Sequence, residues 1–130
     1  MKQQFIGKVI AITGGTSGIG LALCNLFLKE GASVAVCARD NTKLQSLRKQ
    51  NSVMPFLGIE ADVSKEEDCT TFIEATIHHF GKIDILVNNA GVFISGQVIN
   101  EEEGVLEKLI ETNLYSAYNV SRALVKTMIE

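Results

Sequence analysis

The residues best suited to chemistry in this chain are TGGTSGIG, positions 13–20. They follow a short apolar run and open a segment with helical periodicity. The first turn of a helix offers unbonded N–H groups and a partial positive charge, so a loop that brings backbone close to it suits a pyrophosphate. Gly14 permits the tight turn, Gly18 removes a side chain where a diphosphate would approach, and Gly20 lets helix and strand pack closely. Thr16 and Ser17 add hydroxyls at the loop tip. The spacing is T-G-x-x-x-G-x-G. It lacks the Gly-Lys-Ser/Thr of nucleoside triphosphatases and does not fit the G-x-G-x-x-G dinucleotide string. A Gly-rich turn with no ligand is the competing reading.

Three further groups stand where such a site needs them. Ala38-Arg39-Asp40 ends the second apolar run. An acid at that tip bonds both ribose hydroxyls, whereas an Arg pairs with a 2′-phosphate through a charge-assisted fork. Arg39 favours NADP(H) over NAD(H), although Asp40 is only one residue on. Asp62-Val63 ends the third run: Asp62 can accept from an adenine amino group while Val63 contributes backbone, and capping of the next helix, shared with Ser64, competes. Asn88-Asn89-Ala90-Gly91 ends the fourth run. Its small residues admit a ligand to the backbone, and its amides can tie strands together. A plain turn is the alternative there.

These groups are spaced by alternating strands and helices. KVIAIT (8–13), SVAVCA (33–38), VMPFLGIEA (53–61) and IDILV (83–87) read as strands, mostly continuous apolar runs of the kind buried on both faces. Pro55 puts the third strand at a sheet edge or makes it start at the proline. A first helix carries Ile19, Leu23, Leu26 and Phe27 on one face and closes at Gly31. Capping boxes at Thr42/Gln45 and Ser64/Glu67 open the second and third helices, the third with Phe72, Ile73, Ile77 and Phe80 inward and Gly81 at its end. A last helix starts near Val105 and runs to the final residues with no stop signal. The alternation predicts an α/β fold of right-handed βαβ units, a parallel sheet covered on both faces. Ligands then bind at the carboxyl ends of the strands, where all four groups lie.

Composition excludes other classes. The chain has 130 residues, 46% apolar and 21% charged, with net charge −3. That suits one globular domain and gives no attraction to phosphate backbones or anionic membranes. No apolar run approaches the roughly 18 residues of a membrane span. Cys24, Cys37 and Cys69 form no C-x-x-C pair and no zinc spacing. The expectation is a cytoplasmic protein with no metal, nucleic-acid or membrane partner. His78 and His79 fall in the last turn of a helix, where imidazole suits the dipole.

TGGTSGIG, Asp62-Val63, NNAG and the Glu111-Thr112-Asn113 string together resemble the short-chain dehydrogenase/reductase family. The flow of IDILVNNAG into LIETNLYSAYNVSRALVKTMI is similar to its 3-oxoacyl-acyl-carrier-protein reductase-like members. The resemblance runs from about Lys8 to Glu130. It implies a Rossmann-type three-layer sandwich with strand order 3-2-1-4. It also implies hydride transfer between NADP(H) and a small carbonyl or alcohol substrate. On it, Gly14, Ser17, Gly18, Ile19 and Gly20 hold the diphosphate and Arg39 reads the 2′-phosphate. Asp62 and Val63 match the adenine site, and Asn89, Ala90 and Gly91 line the nicotinamide ribose, with Asn88 more a sheet brace. Asn113 matches the helix Asn that helps hold a proton-relay water.

The family's proton donor is a Tyr whose pKa a Lys lowers from Y-x-x-x-K spacing, aided by a Ser. Tyr115 is followed at that spacing by Asn119 and Tyr118 by Arg122, so neither fits, and both read as packing residues. The resemblance places the Ser and the Tyr–Lys pair after Glu130. Residues 1–130 are accordingly expected to be the N-terminal dinucleotide-binding part of a single domain, inactive alone. The alternative is a non-catalytic dinucleotide-binding module. Self-association along the fourth strand, pairing with a C-terminal half, or a homo-oligomer through the last helix is expected. The loop 92–100 is only generically apolar, so the substrate is not readable.

Overall fold

A computed structural model describes residues 4–92 and 94–129. Phe93 of the apolar loop and the terminal Glu130 lie outside the described residues. Four strands, β1 (Val9–Thr13), β2 (Ser33–Ala38), β3 (Phe56–Glu60) and β4 (Ile85–Val87), form one parallel sheet of order β3-β2-β1-β4. Helices α1 (Gly18–Lys29), α2 (Asn41–Gln50) and α3 (Glu66–Phe80) alternate with them. A last helical segment comprises α4 (Val105–Ile110), a π turn (Glu111–Tyr115) and α5 (Ser116–Ile129).

Side chains alternate across each strand, and this makes two cores. Ile10, Ile12, Val34 and Val36 face α1 and α2, meeting Cys24, Leu28, Leu44 and Leu47. Val9, Ala11, Ala35 and Cys37 face the other way, onto Phe72 and Ile73 of α3 and Val120 and Leu124 of α5. The result is a three-layer sandwich whose central strands are buried on both faces, as their unbroken apolar runs require.

Several local expectations shift. The buried line of α1 is Gly20, Cys24 and Leu28, with Leu21, Leu23 and Phe27 packed beside it. Ile19 and Leu26 are exposed (74% and 46%). The small residues mark the contact because the helix lies close on the sheet. Gly31 does end α1: Ala32 N–H donates to Phe27 O at 3.0 Å and Gly31 N–H to Leu28 O at 3.2 Å, with Gly31 at φ +93°. Helix α2 is capped by Asp40, whose carboxylate accepts from Thr42 N (2.9 Å) and Lys43 N (3.3 Å). The Thr42/Gln45 box is displaced because Asp40 reaches the same orphan N–H groups first. Helix α3 begins at Glu66 with Lys65 at its N-cap and no side-chain cap bond. Ser64 instead gives its hydroxyl to Asp62.

Strand β3 begins one residue after Pro55 and occupies a sheet edge. Pro55 O accepts from Val34 N, and Ala61 N donates to Ala38 O. Odd-numbered residues of this stretch therefore bond β2, and even-numbered ones face the open edge. Arg48 of α2 closes part of that edge by donating from Nη2 to Gly58 O at 2.7 Å. At the opposite end of the sheet, Asp84 ties β4 to β1. Its Oδ2 accepts from Val9 N at 2.8 Å, while its own N–H donates to Val9 O at 2.9 Å.

Candidate functional site: a cleft at the carboxyl ends of the strands

Thr13, Ala38, Glu60 and Val87 end their strands on one side of the sheet, and the four sequence groups converge there. An open cleft of about 480 Å³ is lined by Gly14, Ala38, Arg39, Asp62, Ala90 and Gly91 among others. Val63 and Thr112 also reach it.

The Gly-rich loop has the geometry its residue types demand. Gly14 turns at φ +68°, and a Cβ there would stand 2.9 Å from Ala90 Cα. Gly18 is at φ +54° with no atom within 4 Å of a Cβ, so it faces open space. A Cβ on Gly20 would stand 2.3 Å from Gly14 O and 2.5 Å from Asn89 Nδ2, so this is the close packing point of helix on loop. Gly14 N–H donates to Cys37 O at 2.9 Å, pinning the loop to β2. Ser17 occupies the N-cap of α1 in extended conformation without a side-chain cap bond, and no acid stands in the first turn. The positive end of α1 is thus left uncompensated, which suits an anion. Thr16 lies on the far side of the loop, in a second groove against α2.

Thr13 joins β1 to the fourth group. Its buried hydroxyl oxygen accepts from Asn89 N (3.0 Å) and Ala90 N (2.9 Å). Asn89 Nδ2 donates to Gly14 O at 3.0 Å. The brace between strand ends is therefore Asn89, not Asn88. The Asn88 amide reaches outward to Ser121 Oγ on α5 at 3.1 Å, because residues leaving a strand alternate sides. Asn113 grips the same segment from the π turn: its Oδ1 accepts from Val92 N at 2.6 Å and its Nδ2 donates to Val92 O at 2.8 Å. The π turn, with Ser116 N–H bonding Glu111 O, brings Asn113 within reach of Gly91, where a Cβ would stand 3.2 Å from its Oδ1.

The rim is charged. Asp62 Oδ1 accepts from Ser64 N (3.0 Å) and Ser64 Oγ (2.7 Å), and Asp62 N donates to Asp68 Oδ2 at 2.8 Å. Partial burial would raise its pKa, but the two Ser64 bonds, with Arg39 and Lys65 nearby, outweigh it and hold the carboxyl below its ordinary range. Arg39 is exposed and makes no ion pair among the described residues. Asp40, the acid that could have competed for a ribose, turns its Oδ1 to the N-terminus of α2, accepting from Thr42 and Lys43 N–H. Burial pushes the Cys37 thiol beside the cleft up to about 12, so it stays protonated and inert. Burial likewise raises Cys24 and Cys69 to about 11. Among the described residues no cluster of His, Cys, Asp and Glu could hold a metal, and no helix is long and apolar enough to cross a membrane.

The sequence reading missed Thr13 and Thr112. A polar residue ending a continuous apolar strand was the available signal for Thr13. Thr112 is brought to the cleft by tertiary packing, with its carbonyl bonded by Ser116 Oγ.

Comparison with known proteins extends this geometry. The model of the short chain dehydrogenase family matches residues 8–130. An L-fucose dehydrogenase from Bos taurus is 33% identical over 123 residues, covering 94% of this chain and 45% of the relative. A solved structure described as a 3-oxoacyl-reductase from Bacillus thuringiensis superposes with a TM-score of 0.86 at 31% identity, covering 95% of this chain and 52% of that one. An actinorhodin polyketide ketoreductase solved with NADPH gives a TM-score of 0.86 at 31% identity, covering 97% and 49%. The chain spans about half the length of these relatives. With its strand order, its Gly-rich loop and a match along nearly its whole length, the chain belongs to the short-chain dehydrogenase/reductase family.

Proposed function

We propose that the cleft binds a nicotinamide dinucleotide, NADP(H) in preference to NAD(H), as the cofactor half of an oxidoreductase acting on a small carbonyl or alcohol. The observation that carries this reading is the cradle itself. Glycines at 14, 18 and 20 clear the approach to an uncompensated helix N-terminus, and the other strand-end groups open onto the same cleft.

In this reading Ser17, Gly18, Ile19 and Gly20 hold the diphosphate through backbone N–H groups and the Ser17 hydroxyl, while Gly14, whose own N–H bonds Cys37 O, clears the approach and Thr16 stands beyond it toward α2. Arg39 pairs with a ribose 2′-phosphate, and the turning of Asp40 Oδ1 to the N-terminus of α2 supports that preference. Asp62 and Val63 meet the adenine. Asn89 holds the loop, and Ala90 and Gly91 face the nicotinamide ribose. The cofactor supplies the hydride. Asn113 positions the wall through Val92 and keeps one N–H and one lone pair for a relay water.

Neither Tyr115 nor Tyr118 has a Lys four residues on, and both are exposed (53% and 61%). The proton donor and its Lys therefore belong, in this proposal, to a following segment, as the half-length match to relatives supports. The same segment covers the outer edge of β4. Leu114, Tyr118, Val125 and Ile129 form an exposed apolar line on the last helix, which supports pairing with that segment or with a second copy. The buried thiols suit a reducing, cytoplasmic setting. A dinucleotide-binding module without chemistry is the second reading, favoured by Tyr115 and Tyr118 each having no Lys four residues on.

The test is titration of the 130-residue chain with NADPH and NADH, following nicotinamide fluorescence. Tighter NADPH binding, lost in Arg39→Ala, with no ketone-dependent NADPH oxidation, is expected. Equal affinities would overturn the NADP(H) preference, and turnover by the pure chain would overturn the division into halves.

A further inference from the structure

Between α4 and α5 the backbone changes its hydrogen-bond register. In an α-helix the Ser116 N–H would meet the carbonyl of Thr112, four residues back. It bonds Glu111 O instead, five residues back. That shift takes from Thr112 O the donor an α register would give it. The Ser116 hydroxyl fills the place, because Oγ donates to Thr112 O. Both residues are buried, so an unbonded carbonyl there would carry the cost of desolvation. One side chain thus satisfies the acceptor that the π turn gives up. The same turn carries the residues that meet the cleft wall. Thr112 lines the cleft, and Asn113 holds Val92 through both its N–H and its C=O.

We propose that Ser116 is a positioning residue: its hydroxyl holds the helix in the π register and so keeps Asn113 aimed at Val92. Returning the Ser116 N–H to Thr112 O would tighten the turn to α. The residues before it would then rotate about the axis by about 100° relative to α5, one residue's share of a 3.6-residue turn. The Asn113 amide would leave the Val92 backbone. A π turn has no intrinsic advantage over the α register and persists where something local holds it. Here the Ser116 hydroxyl does so, since it supplies Thr112 O with a bond that does not use the main-chain N–H. Ser116 acts through Asn113 and touches no reacting atom. What Asn113 is for, support of the cleft wall and of a relay water, rests on the reading above.

The experiment is amide hydrogen exchange followed by NMR on the 130-residue chain without cofactor, comparing the parent with Ser116→Ala and Ser116→Thr. In Ser116→Ala the Val92 amide should exchange roughly tenfold faster, and the Asn113 side-chain NH2 resonances should move. The Phe72 and Ile73 amides of α3 should keep their rates, which separates a local change of register from a general loss of stability. Ala is the better helix former, so a residue that only filled a helix position would leave Val92 as protected as before. Ser116→Thr keeps a hydroxyl able to reach the carbonyl four residues back and should keep Val92 protected. Unchanged Val92 exchange and Asn113 resonances in Ser116→Ala would overturn the assignment. So would an equal loss of protection in the Ala and Thr variants, since the hydroxyl would then not be the cause. Because exchange is read without cofactor, failure of the chain to bind NADPH would sink the reading of the cleft and leave the role of Ser116 standing.

Discussion

Replacing Thr13 by Val tests how the two halves of the cleft are joined. The substitution keeps volume and branching, so it leaves no cavity and adds no bulk. It removes one oxygen that accepts two main-chain N–H groups, at 3.0 and 2.9 Å, from the residues that follow β4. Each lost bond costs about 0.5–1.5 kcal/mol net, so Thr13→Val should destabilise the fold by about 1–3 kcal/mol. Thr13→Ser keeps the oxygen and loses a buried methyl, about 0.8 kcal/mol. Urea denaturation gives the totals, and amide hydrogen exchange locates them. In the Val variant the Asn89 and Ala90 amides should lose protection by roughly tenfold or more, since about 1.4 kcal/mol of local opening is a factor of ten. In the Ser variant they should remain protected. A Val variant within about 0.5 kcal/mol of the parent, with both amides still protected, would refute the claim that Thr13 holds the 88–91 segment.

Gly18→Ala and Gly20→Ala should separate binding from stability. At Gly18 the added methyl meets nothing, so only the left-handed backbone is penalised, by about 1 kcal/mol. Yet dinucleotide affinity measured by fluorescence should fall at least tenfold. At Gly20 the methyl strikes Gly14 O, and both the melting temperature and the affinity should drop, with overpacking costing about 1–3 kcal/mol. Asp84 has its pKa lowered by the Val9 N–H bond first, against burial and with help from Lys82 at 3.0 Å. A depressed carboxyl stabilises the fold above its unfolded pKa, near 4, and that stabilisation is lost as pH falls through the folded value. Asp84→Asn should therefore be less stable than the parent by about 1 kcal/mol at pH 7, and the two denaturation midpoints should converge below about pH 4. Arg48→Met should cost about 1–2 kcal/mol by uncovering Gly58 O on the β3 edge, with more light scattering on thermal melts if that edge is a pairing hazard.

The amino-acid sequence by itself determined the alternation of elements, the parallel sheet, the strand order through its likeness to a family, and the four strand-end groups. These are encoded locally. A run such as Val9-Ile10-Ala11-Ile12 has no polar residue to turn outward, and Gly14 and Gly18 adopt backbone angles that strain other residues. Tertiary structure alone decided which of several equivalent groups won. Asp40 and Thr42 were both candidates to cap α2, and backbone direction at the end of β2 gave the bond to Asp40. Ser64 read as a helix cap but bonds Asp62, because the chain folds back over that carboxylate. Asn88 and Asn89 are chemically identical, and only the alternation of side chains leaving β4 sends Asn89 to Gly14 and Asn88 to α5. The π turn that brings Asn113 to Val92, and Thr112 to the cleft, leads into α5, which packs against α3, a contact between segments far apart in the sequence. Local propensity selects what each segment can be. Which donor meets which acceptor depends on distances that exist only once the layers are packed.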